Sequence, residues 1–167
     1  NLPYQISSPV LERIQRHHAE HPMAVVVLLL QEEFADRMAI GRDHTALSPL
    51  GLSLWLDFEV ELDAKVAPHS FSPSPRVSSR LTSMRPVDRE PGIDRRMFRT
   101  VTQHCFANRR RKLRTLLSKP PSRIGRIKGW HKQRWSEAVD TVIQASPEGL
   151  PEGWLDLRPE NLETSQW

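Results

Sequence analysis

At 167 residues, 38% of them hydrophobic, the chain is long enough for one modest core, or for a part-domain with a small helical appendage, and its composition is that of a soluble globular protein. The apolar run Met23 to Leu30 falls far short of the ~20 residues that cross a bilayer, no charged leader runs into a cleavage site, and fourteen Pro against seven Gly imply rigid loops rather than a low-complexity tract. Net charge is only +4, but Arg85 to Arg134 holds 16 Lys+Arg against 3 Asp+Glu, near +13, which leaves the remainder near −9. Such asymmetry points to a surface facing nucleic acid rather than to a generally basic protein; a solvated helical face is the plainer alternative.

In chain order, Asn1-Leu2-Pro3-Tyr4 places an amide, a carbonyl freed from ladder duty by a following proline, and an aromatic face within four residues. That set can hold a flipped adenine. Its exocyclic amine is a poor nucleophile, because the nitrogen lone pair is delocalised into the ring. If the Asn1 side-chain oxygen and the Leu2 carbonyl each accept one amine hydrogen, the lone pair is aimed outward while Tyr4 stacks on the base. Pro3 fixes its own φ and keeps Leu2 extended. An ordinary strand-to-helix turn is the other reading, since Asn, Pro and Ser all form turns.

Ser7 or Ser8 can cap a helix opened by Pro9, with Val10, Leu11 and Ile14 on one face, ending near His21-Pro22. His17 and His21 have the i, i+4 spacing of a metal pair, but no third ligand is near and no metal site is expected. Met23 to Leu30 reads as a strand buried on both faces, of the kind found in parallel sheets. Gln31 to Ala39 is helical, Gly41 to Pro49 a loop and Leu50 to Phe58 a packed helix. Glu59 to Val66 alternates strictly, which puts Val60, Leu62, Ala64 and Val66 on one face of a half-exposed strand. Pro68 to Pro75 turns the chain, and Val77 to Met84 returns antiparallel. Phe71 sits in that turn, where the residues alone suit base stacking and loop anchoring equally.

Asp88 to Asp94 is a polar Pro-Gly boundary. Arg95 to Ala107 and Arg109 to Ser118 read as two helices, with Phe98, Val101, Cys105 and Phe106 as the apolar face. Arg109, Arg110, Arg111, Lys112 and Arg114 form the cationic face, continued by Arg123, Arg126 and Lys128. Such a cluster neutralises phosphates without reading sequence. Trp130 and Trp135 read as core anchors for a helix over Ser136 to Ala145, with base stacking as the alternative. The lone Cys105 excludes an internal disulfide and reads as a small core residue in a reducing compartment.

Three stretches resemble, in order, the rRNA adenine dimethyltransferases. Asn1 to Pro9 is similar to the family's Asn-Leu-Pro-Tyr motif with its Ser-Ser/Thr-Pro continuation. Phe71-Ser72-Pro73-Ser74-Pro75-Arg76-Val77-Ser78-Ser79 is similar to its Phe-x-Pro-x-Pro-Lys-Val-x-Ser loop, and Phe106 to Arg114 to its Phe-x-x-Arg-Arg-Lys-x-Leu-Arg helix. Gly51 stands where the family carries an arginine. Arg158 to Leu162 resembles an element that precedes a final helix.

The resemblance implies an α/β fold: residues 1–87 as the second half of a Rossmann-like methyltransferase sheet ending in an antiparallel strand pair, and 88–167 as a small all-α, RNA-contacting domain. It implies dimethylation of the exocyclic amines of two adjacent adenosines near the 3′ end of small-subunit rRNA, with S-adenosyl-L-methionine as donor, during assembly of the small ribosomal subunit in the cytoplasm by a monomer. Asn1 would hold the target amine and border the methionine end of the cofactor, Leu2 would offer its carbonyl, Tyr4 and Phe71 would stack on adenine, and Arg109 to Arg114 would grip phosphates. No Gly-rich strand-to-helix turn occurs in the chain, which opens on a motif and on Asn rather than Met. The expectation is therefore a fragment, inactive alone and lacking the cofactor-binding half. A large-subunit rRNA adenine methyltransferase and a non-catalytic ribosome-assembly factor remain the two rival readings.

Overall fold

The computed structural model describes residues 6–40, 47–87, 89 and 92–167. The chain divides into two compact units, Asn1–Pro91 and Gly92–Trp167.

In the first unit, three helices cover one face of a three-stranded sheet. Helix α1, Ser7–Glu20, starts directly after Ile6 without a side-chain cap, so neither Ser7 nor Ser8 takes the capping role their type suggests. Pro9 lies in the first turn, where a missing N–H leaves no bond unmade. Ser7, Leu11 and Gln15, spaced by four, form its buried stripe. The buried Gln15 amide donates to the Ser53 carbonyl at 2.9 Å and to Asp57 Oδ2 at 2.9 Å, which ties α1 to helix α3, Pro49–Asp57. That helix is capped by Ser48, whose Oγ accepts from Gly51 N at 2.9 Å and donates to the Arg37 carbonyl at 2.7 Å. Gly51 is needed for this close approach: a Cβ there would lie 3.1 Å from the Arg37 carbonyl oxygen at the end of helix α2, Glu32–Met38, and 3.1 Å from Ile40 Cγ1. The position where the resemblance suggested an arginine is here a packing glycine.

The strands are β1, Val26–Gln31, β2, Phe58–Val66, and β3, Ser79–Pro86, in the order β1-β3-β2 with both pairings antiparallel. Two expectations change here. The apolar run 23–30 is not buried on both faces: Val26 and Leu30 face the helices, whereas Val25 and Val27 are 48% and 57% exposed, because α1, α2 and α3 supply apolar residues to one side only. No parallel pairing occurs among the described residues. The alternation of β2 also breaks, through a bulge between Leu62 and Lys65. Val60 pairs Met84 and Leu62 pairs Thr82 on the core face, but beyond the bulge Lys65, not Ala64, takes that face opposite Arg80, and Val66 turns to the other side opposite Ser79. A proline-rich segment, 67–78, joins β2 to β3; it includes a 3₁₀ turn at Pro68–Ser70 and a cis Ser72–Pro73 bond, and Ser78 O accepts from Glu32 N at 3.0 Å.

The second unit is built from helices and 3₁₀ turns. Helix α4, Arg95–Phe106, is capped by Asp94, which accepts from Arg96 N and Met97 N at 2.9 and 3.0 Å. The second helix expected over 109–118 is much shorter. Residues 107–111 are turns, with Arg111 N bonded to Asn108 O at 2.8 Å, and α5 spans only Leu113–Leu117. Continuing the helix would bring like charges together at i, i+3 (Arg109 with Lys112, Arg111 with Arg114) and at i, i+4 (Arg110 with Arg114), and Leu113 N is instead bonded to Leu157 O at 2.8 Å. Helix α6, Lys132–Ala145, begins four residues earlier than expected, because the His131 ring accepts from Arg134 N as its cap. Trp135 is buried with its Nε1 donating to Leu117 O at 2.8 Å, so it is the core anchor its sequence context suggested. Cys105, Leu113, Leu116 and Leu162 form a buried cluster to which Leu157, Trp154 and Trp167 add; the tail is thus part of this unit's core. Within it, burial pushes the Cys105 thiol from its ordinary 9.0 up to about 12.

Candidate nucleic-acid interface

Of the residues singled out from sequence, Asn1, Leu2, Pro3 and Tyr4 lie outside the described residues. Phe71 is half-buried at the end of the 3₁₀ turn, with its N–H on Pro68 O at 3.2 Å, and no other ring stacks on it among the described residues. Its loop is held at both roots, by β2 and β3 pairing and by the Glu32–Ser78 bond. A stiff loop can present an aromatic side chain with little ordering cost on binding.

The cationic run divides in two. Arg109, Arg110 and Arg111 are exposed on the α4–α5 turn and form no ion pair among the described residues. Lys112 and Arg114 are both engaged by Asp156, in the 3₁₀ turn Trp154–Asp156: Lys112 Nζ lies 2.7 Å from Asp156 Oδ1, and Arg114 Nη2 meets the same oxygen. Hydrogen bonds from Lys112 and then from Arg114 hold the Asp156 carboxyl below the usual carboxylate range. Arg123, Arg126 and Lys128 are exposed around the 3₁₀ turn Ile124–Arg126, and the Arg126 carbonyl accepts from Arg96 Nη2 at 2.7 Å. Sequence reasoning missed Asp156, because nothing local marks a carboxylate 44 residues from Lys112 as its partner. It also missed Arg134, whose guanidinium lies 5.0 Å above the half-buried Trp130 ring.

Other charged groups are structural. Arg89 donates to the carbonyls of Trp55 and Phe58 at 2.5 and 3.3 Å and lies over the Trp55 ring at 5.0 Å. His17 and His21 stack with centroids 4.8 Å apart, and no group of three metal-ligating side chains exists among the described residues. Nor is any described helix long and apolar enough to cross a membrane. The described glycines offer no turn of the strand-to-helix type that cradles a nucleotide; Gly51 lies inside a helix and the rest belong to the second unit. The described residues therefore do not fit a complete site for S-adenosylmethionine.

The architecture is shared with methyltransferases of known structure. A dimethyladenosine transferase from Plasmodium falciparum matches 99% of this chain, using 61% of its own, with a TM-score of 0.74 at 21% identity. A 23S rRNA methyltransferase matches 95% of the chain, using 59% of its own, with a TM-score of 0.51 at 22% identity. At the level of sequence, residues 1–126 match the ribosomal RNA adenine dimethylase family, and the chain belongs to it. Among relatives, a probable ribosomal RNA small subunit methyltransferase A of Methanococcus maripaludis is 36% identical over 75% of this chain and 46% of its own length. A protein of the same description from Methanothermobacter thermautotrophicus is 32% identical over 97% of this chain and 54% of its own length. The chain thus spans about half the length of the curated relatives it matches.

Proposed function

We propose that this chain supplies the adenine-holding and RNA-gripping part of an enzyme that dimethylates two adjacent adenosines near the 3′ end of small-subunit rRNA. The observation that carries the reading is the family match over residues 1–126, which takes in the Asn1–Tyr4 tetrad, the Phe71 loop and the arginine turn together. Residues 1–87 are read as the later part of a methyltransferase domain and 88–167 as the RNA-contacting domain. Asn1 and the Leu2 carbonyl accept the two hydrogens of the target amine, and Tyr4 and Phe71 stack on the ring. The contribution of these residues is positioning and lone-pair orientation, with no titrating side chain required. The methyl donor of the whole enzyme is S-adenosylmethionine; the described residues form no site for it, and the chain's own work is to hold RNA and base.

Small-subunit rRNA from cells carrying the natural-length gene should block primer extension at two adjacent adenosines near the 3′ end, and rRNA from cells lacking it should not. Asn1→Ala and Tyr4→Ala should each lower methyl transfer by roughly 10²-fold or more. Unchanged modification in the gene's absence would refute the reading.

A further inference from the structure

Among the described residues, Arg80 is the arginine with a buried, unpartnered side-chain nitrogen. Its Nε is buried without a hydrogen-bond partner, and the side chain forms no ion pair among the described residues. On the central strand it stands directly between Leu30 of β1 and Lys65 of β2, on the face that packs against the helices. Leu30 is fully buried, so the arginine stem lies at the margin of the core. Its cross-strand neighbour on the other side is a second cation, and like charges directly opposite destabilise a sheet. The bulge creates that neighbour: with strict alternation the row would have continued into Ala64, and the one-residue slip brings in Lys65. Lys65 is answered by Glu32 at 2.8 Å, whereas Arg80 is not answered. Both cations flank the root of the 67–78 loop that carries Phe71: β2 ends at Val66, just beyond Lys65, and β3 begins at Ser79, just before Arg80.

We propose that Arg80 is a phosphate-binding position that takes a backbone phosphodiester of the RNA at the Phe71 end of the sheet, while Lys65 stays with Glu32. The inference rests on the RNA-substrate reading above and adds a contact in the first unit, apart from the arginine turn of the second. An arriving phosphate meets the outer nitrogens of the guanidinium, which have no hydrogen-bond partner among the described residues, and not the buried Nε; its charge also offsets that of Arg80 beside Lys65. An aromatic ring in the loop and an unpaired cation at its root match the two parts of a nucleotide, base and phosphate.

The test is RNA binding by the 167-residue chain, followed by fluorescence anisotropy across a salt series, with a hairpin from the 3′ end of small-subunit rRNA and with inorganic phosphate as competitor. Arg80→Gln should weaken binding roughly five-fold and reduce the magnitude of the salt slope by about one, at an unchanged or higher melting temperature, since an unpartnered buried nitrogen is removed. Arg80→Lys should recover most of the affinity. Wild-type affinity in Arg80→Gln, where Arg110→Gln binds more weakly, overturns the proposal and spares the RNA reading. A lowered melting temperature in Arg80→Gln, with no recovery of affinity in Arg80→Lys, makes the residue structural and also overturns it. Wild-type chain that shows no salt-dependent binding removes both readings.

Discussion

The turn at Arg109–Arg111 and the start of α5 at Lys112–Arg114 are neighbours in one cationic run, and they end in opposite states. The first three cations are exposed and free of ion pairs among the described residues; Lys112 and Arg114 share one carboxylate from the tail. Cations fill all three positions of the first stretch and two of three in the second, yet only the first is free, so the number of positive residues is no measure of the number available to phosphates. What separates them is tertiary. The bond from Leu113 N to Leu157 O lays the tail beside the start of α5, and this brings Asp156 to Lys112 and Arg114 while leaving the preceding turn uncovered.

If that division governs binding, the largest effect belongs to the turn. Replacing Arg109, Arg110 and Arg111 together by Gln should cut RNA affinity by about 10²-fold at 0.1 M salt and flatten the salt slope by two to three, with little change in melting temperature, because the turn packs no side chain into the core. Anisotropy titrations of the triple variant check this. A loss no larger than that of Lys112→Gln would erase the distinction between the two halves.

Asp156→Asn should have a smaller effect of opposite sign. Asp156 occupies the place that a phosphate would take on Lys112 and Arg114, so removing its charge releases two cations. RNA affinity should rise a few-fold and the salt slope steepen by one to two. Weaker binding by this variant would mean that the carboxylate orders the pair for RNA instead of competing with it.

How much of this was legible depends on the range of the interaction involved. The helix after Pro9, the antiparallel return of β3 and the burial of Trp135 and Cys105 follow from local pattern, and the structure has each of them. The ends of elements were set by partners that pattern does not reveal. His131 caps α6 through its ring, and β2 loses its alternation at a bulge that reads as ordinary apolar-polar periodicity in sequence. Met23 to Leu30 looked like a strand covered on both sides, since an apolar run records hydrophobicity but not which faces are covered by the residues present. In the candidate site, the exposure of Arg109–Arg111 was readable from composition alone. The loss of Lys112 and Arg114 to Asp156, and the isolation of Arg80 beside Lys65, required the fold.

The smallest expected effect is on stability, and it separates an organising clamp from a chance surface pair. The Asp156 carboxyl is held below its ordinary 3.8 by hydrogen bonds from Lys112 and Arg114. A carboxyl whose pKa is depressed on folding contributes stability that is present above the unfolded value and is lost as pH falls through the folded one. The difference in melting temperature between wild type and Asp156→Asn should therefore be constant from neutral pH down to about pH 5, and should close below the ordinary 3.8 as the carboxyl protonates. Both cations and the acid are solvent-accessible, so the plateau should be small and should shrink further in high salt. A plateau that survives molar salt would show that the short hydrogen bonds from Lys112 and Arg114, rather than screened charge attraction, carry the contribution of Asp156.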